Sequence, residues 1–521
     1  PNSALRMTVF RFFPQPVKPV PERVVAAALK SLCENSLRGR FCIVGLQADI
    51  VDASTCPPEG GRYICQNPAL TRTLKPGPPS RIKIPRAGRG IRGFVVQRVV
   101  LLRWEGSLIN KGRDSGVPGL SGSGQVHAVT ASFLGWTLDA FDFFVVVFLI
   151  DKLAADFHVG KKAIIGSLFV TLVMRPVGAL IFGLLTDRYG RRIPLMVNVV
   201  FFSMVELACG FSPNLTFFLV MRALYGIGMG GEWGIGASLA MESVPPRWRG
   251  ILSGILQSGY SVGYLLAAVV ARFVLPTWGW RPMFWLGGLP ALLAFYISAR
   301  VPESEAWKQH RAPSTGAVLK IVAGQWKSFL YLVLLMTFMM FLSHGTQDLY
   351  PDFLGSVHKF TPALQSYMAI IYNIGAILGA IVFGQFSERL GRRRTMITAM
   401  TLSLLVIPLW AFGGSLLTLI IGSFLMQAGV QGAWGVIPVH LSELSPDETR
   451  GLVPGLAYQL GILIAAPTNT VEFLLREHVG YQWALAGFEI VTIAVLIVTL
   501  LLGKERKGRS FHEPAAIPVS T

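Results

Sequence analysis

Asp139 and Asp142 stand three residues apart in the otherwise apolar segment LDAFDFF (138–144), which puts both on one face of a helix. Two carboxyls held together on an apolar face suit proton binding and release, because both resist being ionised at once. The competing reading gives one of them a permanent partner, Arg175 or Arg222. Arg175 itself precedes Pro176 in MRPVGALIFG, where proline weakens the local helix bonding. Its always-charged guanidinium fork matches a carboxylate, so Arg175 is the first candidate to hold a substrate anion. Service as counter-ion to Asp139 or Asp142 is the alternative.

A second polar concentration lies in MMFLSHGTQDLYPDFL (339–354), where Ser343 and Gln347, His344 and Asp348, and Thr346 and Tyr350 are each four residues apart. His344 beside Asp348 suits a proton-binding couple. So many polar groups on one helix favour a hydrated pathway over a hydrogen-bond network that merely seals helices together. Arg222 and Glu232 flank the glycine run GIGMGG (226–231). That run follows no strand, and close helix packing by small residues explains it better than nucleotide binding. Glu232 joins the proton-binding candidates. Charge also gathers at helix ends, as Asp187, Arg188 and Arg191, as Glu388, Arg389 and Arg392, and as Glu242, Glu443, Arg249 and Arg450. These read either as topology signals with snorkelling side chains or as a charge-paired latch that must break for one side to open.

These groups need a scaffold, and composition names it. The chain has 521 residues, 52% hydrophobic and 14% charged, with mean hydropathy +0.53. A soluble domain carries roughly 25% charged residues, so the deficit points to an all-α protein of many membrane spans. The net charge of +19 sits in a basic segment at 1–125 and in short links between apolar runs, which implies a bilayer and no nucleic acid. Residues 1–125 contain no spanning run; the longest candidate, Gly93–Trp104, is interrupted by Arg98 and Arg103. We read this segment as sequence outside the working protein, the alternative being a poorly ordered cytoplasmic extension. Cys33, Cys42, Cys56 and Cys65 fall in it without metal-ligand spacing, and Cys209 stands alone in the apolar body. No cofactor or metal site is expected.

Spans are expected near 127–150, 162–184, 194–211, 214–238, 249–273 and 279–299, then 327–350, 362–385, 394–413, 415–440, 450–474 and 480–502. The division is therefore 126–299, a linker at 300–326, 327–502, and a tail at 503–521. Lys/Arg placement puts both termini, the linker and the tail in the cytoplasm. A shift of 201 residues superposes the halves: Gly178 on Gly379, Asp187 on Glu388, Trp233 on Trp434, Glu242 on Glu443, Arg249-Gly250 on Arg450-Gly451 and Gly279 on Gly480. Parallel duplication of this kind places a substrate site near the midplane between rocking halves.

The segments GLLTDRYGRR (183–192) and GQFSERLGRR (384–393) resemble the loop signature of the major facilitator superfamily, twice at the repeat spacing. Ser343, His344, Thr346, Gln347 and Asp348 resemble the span-seven motif of the lactate permeases in the sialate:proton symporter group, as does LDAFDFF. The chain departs from that pattern at Met340, Asp352 and Ile462. The resemblance implies a monomeric proton symporter for a carboxylate such as lactate or pyruvate, in a plasma membrane, most simply a bacterial inner membrane. By the same resemblance Arg175 would meet the carboxylate, with His344, Gln347, Tyr350 and Gln459 around it. The proton would reside on Asp139, Asp142, His344, Asp348 or Glu232. A larger acid and a non-transporting nutrient sensor are the competing readings; no nucleophile–base spacing supports a membrane enzyme.

Overall fold

The computed structural model describes residues 58–59, 62–63, 122–312 and 314–511. Cys33, Cys42, Cys56, Cys65 and the Gly93–Trp104 run lie outside the described residues. The chain divides into two units, Pro1–Gly106 and Ser107–Thr521. In the first, β1 (Pro58–Glu59) and β2 (Arg62–Tyr63) pair antiparallel, Pro58 opposite Tyr63.

The second unit is helical. Its first half comprises α1 (Gly122–Asp156), α2 (Lys161–Tyr189), α3 (Arg192–Cys209), α4 (Leu215–Ser243), α5 (Arg249–Trp278), α6 (Arg281–Leu286) and α7 (Ala291–Arg300). The expected linker is folded, as α8 (Glu305–Gln309) and α9 (Thr315–Gly324). The other half comprises α10 (Trp326–Gln347), α11 (Tyr350–Ser356), α12 (Pro362–Leu390), α13 (Arg392–Phe412), α14 (Leu416–Trp434), α15 (Ile437–Leu444), α16 (Leu452–Ala465), α17 (Thr468–Val479) and α18 (Tyr481–Leu502). Among the described residues ten helical segments are long and apolar enough to cross a membrane. The expected fourth and eleventh spans are present as helix but fall outside those ten. Glycines, Arg222 and Glu232 dilute α4, and the eleventh is broken at Ala466–Pro467 into α16 and α17. The sixth, seventh and tenth expected spans are likewise broken pairs, α6–α7, α10–α11 and α14–α15.

The repeat is visible in local geometry. Gly190 and Gly391 end α2 and α12 with φ of 105° and 97°, and Gly279 and Gly480 end α5 and α17 with φ of 78° and 83°. Side chains rarely tolerate that region, so glycine recurs there 201 residues apart. Packing follows the same rule: α2 lies on α4 as α12 lies on α14. A Cβ on Gly178 would stand 2.8 Å from Ile227 Cα, and one on Gly379 would stand 2.6 Å from Ala428 Cα. Helices approach that closely only where a side chain is missing. The halves meet through α5 on α12 and α2 on α16. The linker spans them too, with Val318 of α9 packed against Leu452 of α16 and partly buried Leu184 of α2.

Candidate functional site

At the seam of the halves Tyr458 of α16 is the hub of an aromatic box. Its ring stacks on Trp233 (centroids 4.4 Å apart) and meets Trp434 and Trp136 edge-on at 5.7 and 6.2 Å. Trp136 in turn stacks on Tyr260 of α5 at 5.5 Å. Trp233 and Trp434 are repeat mates, so the duplication delivers one indole from each half to the same ring. Arg175 projects from α2 with its guanidinium carbon 5.9 Å from the Tyr458 centroid. It is 1% exposed, and its Nε and Nη2, with Trp136 Nε1 and Trp434 Nε1, have no hydrogen-bond partner among the described residues. Unpartnered donors around a buried cation are costly unless an acceptor is bound. Gln459, the next residue, donates from Nε2 to the Gly230 carbonyl at 3.3 Å, which ties the halves together, and leaves its Oε1 free of partners.

The first half buries a cluster of carboxyls. Asp139 accepts from Tyr225 Oη at 3.4 Å, and both Asp142 oxygens lack partners. Arg222 pairs with neither aspartate: it donates to Glu206 of α3 at 2.9 Å and lies 4.1 Å from the Tyr225 ring centroid. Arg175 likewise makes no ion pair among the described residues. Asp142 Oδ1 and Glu206 Cγ converge on Gly287, each within 2.6 Å of where its Cβ would be. Glu232 is fully buried, unpartnered, and its Oε1 rests against Gly135 of α1. Sequence reasoning missed Glu206, although an ionisable group inside an apolar helix was the signal that had picked out Asp139.

In the second half His344 Nδ1 and Asp348 Oδ2 are 3.0 Å apart, their side chains 34% and 36% exposed. Gln347 donates to Gln427 at 2.8 Å, and Gln431 donates to Ser343 at 3.2 Å, so α14 supplies two amides to this polar face. Tyr350 is not part of it. Its ring is stacked on Trp410 at 5.2 Å and its hydroxyl donates to the Trp410 carbonyl at 3.1 Å. The break at Asp348–Leu349 turns α11 away from the helix that carries His344, and Tyr350 becomes a packing residue. A surface cavity of about 700 Å³ elsewhere, lined by Phe338, Phe341, Leu475 and Trp483, is apolar and has no charged lining.

The charged helix ends form a network across the halves at the arginine-rich end of the bundle. Asp187 accepts from the backbone N–H groups of Gly451 and Leu452 at 2.8 and 3.0 Å and pairs with Arg191 at 2.9 Å. Its mate Glu388 accepts from the Gly250 N–H at 2.5 Å and pairs with Arg392 at 2.8 Å. Arg191 also holds Glu242 at 2.8 Å, and Arg392 holds Glu443 at 3.0 Å. Arg450 crosses to Glu242 at 3.1 Å, whereas Arg249 donates to the Met241 and Arg509 carbonyls. Arg188 and Arg389, expected in the latch, stand outside these ion pairs. Arg188 reaches the Ala312 carbonyl at 3.4 Å, and exposed Arg389 offers its own carbonyl to Lys507 at 3.1 Å.

The model of the sugar (and other) transporter family matches residues 128–319, and that of the major facilitator superfamily matches residues 333–518. A probable 4-methylmuconolactone transporter of Cupriavidus pinatubonensis is 32% identical over 74% of this chain and 94% of its own length. The chain belongs to the major facilitator superfamily. A carboxylic acid transporter protein homolog of Saccharomyces cerevisiae is 31% identical over 71% of this chain, which spans 64% of that protein's length. The proton:xylose symporter XylE has the same fold, with a TM-score of 0.63 at 18% identity, over 76% of this chain and 99% of that one. As a member of this superfamily the protein is a multi-pass membrane transporter and not an enzyme.

Proposed function

We propose that this superfamily member is a proton-coupled symporter of small carboxylates, lactate and pyruvate foremost, working by alternating access. The observation that carries the reading is the pair of Arg175 nitrogens, Nε and Nη2, left without partners among the described residues beside the Trp136 and Trp434 indole N–H groups, buried between the halves. A carboxylate completes that donor set, and its carbon skeleton lies against Tyr458. The name of the yeast relative, a carboxylic acid transporter protein homolog, supports the substrate class. The box is built of broad aromatic rings, which also favours a second reading, a larger or ring-bearing acid of the same class.

The proton resides on the Asp139–Asp142 group, midway along α1, or on the His344–Asp348 group, at the end of α10 away from the arginine network. That network faces the cytoplasm, together with both termini, of a plasma membrane, and the protein acts as a monomer. Its inter-half bonds close the cytoplasmic side; substrate and proton together stabilise the occluded state, and breaking the network opens the inner side.

Purified protein in liposomes tests this. An inside-alkaline pH gradient drives accumulation of labelled lactate, and an inside-negative potential alone does not, because one proton with one monoanion moves no net charge. Uptake of a larger acid with none of lactate selects the second reading. Binding of acids by folded protein with no uptake under either gradient refutes transport and leaves a sensor.

A further inference from the structure

Two buried carboxylates take no part in the site described so far. Glu472 on α17 is 1% exposed and Glu489 on α18 is 0% exposed, and none of their four oxygens has a hydrogen-bond partner among the described residues. Glu489 lies on α10 at Gly345, where a Cβ would collide with its Oε1, and Gly345 directly follows His344. The helices α17 and α18 pack on each other and both pack on α10. Among the groups facing the pair, α10 offers His344 and Asp348. From α17 comes Arg476, already paired with Asp352 at 2.9 Å. From α13 comes Arg393, engaged by the Leu500 carbonyl at the other end of α18.

No cation among the described residues pairs with either glutamate. Two carboxyls buried without a cation or a donor cannot both be ionised, so the pair has to hold a proton to stay where it is. A route to water is also present. Asn469 of α17 donates to Asp348 Oδ2 at 3.0 Å, and Asn469 and Glu472 are three residues apart on one helix face. The half-exposed His344 and Asp348 of α10 thus lie on the helix against which α17 and α18 pack with their buried glutamates.

We infer that Glu472 and Glu489 form a proton site of the second half, loaded from water through His344 and Asp348. The inference rests on the proton-coupled reading above. A proton arriving from water adds to a glutamate carboxylate oxygen and leaves from the same oxygen to water, with no bond made to the substrate. Because Glu489 is seated on the helix that carries His344, its protonation is linked to how closely α18 packs on α10.

The test uses E472Q, E489Q and the double variant, since glutamine keeps the volume and mimics the protonated acid. In liposomes, exchange of labelled for unlabelled lactate is expected to stay within about twofold of wild type. Accumulation driven by the pH gradient is expected to fall roughly tenfold and to lose its pH dependence, a size typical of linkage between two sites. E489D, which keeps the acid, is expected to recover part of it. Infrared difference spectra between acidic and alkaline buffer supply an independent readout: a protonated-carboxyl band weaker in the double variant than in wild type. An unchanged infrared band in the double variant overturns the inference, as does a wild-type pH profile of accumulation. If wild-type protein exchanges lactate but never accumulates it, the proton-symport reading falls, and the infrared band still decides whether this pair binds a proton. A melting temperature for each variant shows that loss of transport is not loss of fold.

Discussion

Asp187 offers a quantitative handle on alternating access. Its carboxylate accepts two backbone N–H groups at the start of the opposite half's α16, at 2.8 and 3.0 Å. These bonds exist only while the halves touch at the arginine-rich end. Replacing Asp187 by asparagine removes the charge and turns one acceptor oxygen into a donor that faces an N–H. One charge-assisted bond becomes neutral and one is lost, a cost of about 3 kcal/mol when charge-assisted bonds contribute about 1.5–3 and neutral ones about 0.5–1.5. At about 1.4 kcal/mol per tenfold, the equilibrium shifts roughly 100-fold toward the cytoplasm-open arrangement. Ser258 is a buried reporter on α5, one turn beyond Gly254, where a Cβ would collide with the Ala380 carbonyl of the other half. A Ser258→Cys substitution in a background without the five native cysteines, in inside-out vesicles, reports opening through its rate of reaction with an impermeant maleimide. The D187N variant should label about 10–100-fold faster than its parent, and E388Q should follow because Glu388 makes the mirror-image bond to Gly250. A D187N rate within about twofold of the parent, in folded protein, refutes the seal; that is far below the shift worked out above.

Three further perturbations separate structural from binding roles. Phe511 is fully buried with its ring 3.5 and 3.8 Å from the guanidinium carbons of Arg249 and Arg450, one from each half. F511A forfeits two cation–π contacts of about 0.5–2 kcal/mol each, so trypsin should cut at Lys504–Arg509 at least about fivefold faster; an unchanged rate contradicts the clamp. E206Q strips Arg222 of its charged partner in a fully buried place, which should cost about 3–5 kcal/mol in a thermal or denaturant melt. The double apolar replacement E206L/R222M should restore most of that loss. Y350F removes one hydroxyl bond to Trp410 and should lower stability by about 1 kcal/mol while leaving acid affinity unchanged; a large loss of affinity would return Tyr350 to the site.

Much of the architecture is legible in the chain because duplication writes it twice. The positive-φ glycines at 190 and 391, the close contacts at 178 and 379 and the ion pairs of Arg191 and Arg392 recur at the offset of 201 residues. His344 with Asp348 is legible because four residues along a helix is also a distance in space. What period cannot tell is which helix stands opposite a given face. Arg222 therefore found Glu206, sixteen positions earlier in the chain, and not an aspartate of α1. Breaks redirect side chains in the same way: Tyr350 lies on the expected face of an unbroken helix, but the turn after Asp348 sends it to Trp410. The convergence of Trp136, Trp233, Trp434 and Tyr458 from both halves depends on packing between spans, and no local spacing encodes it.

Acid binding to purified wild type and R175Q, followed by titration calorimetry with lactate and with a ring-bearing acid, tests the central claim most directly. Wild type should bind one of them, and R175Q should lose that binding by more than about tenfold, the loss expected when a charge-assisted pair is removed. Equal affinity in the two proteins, with R175Q folded, would place the anion elsewhere and contradict the account.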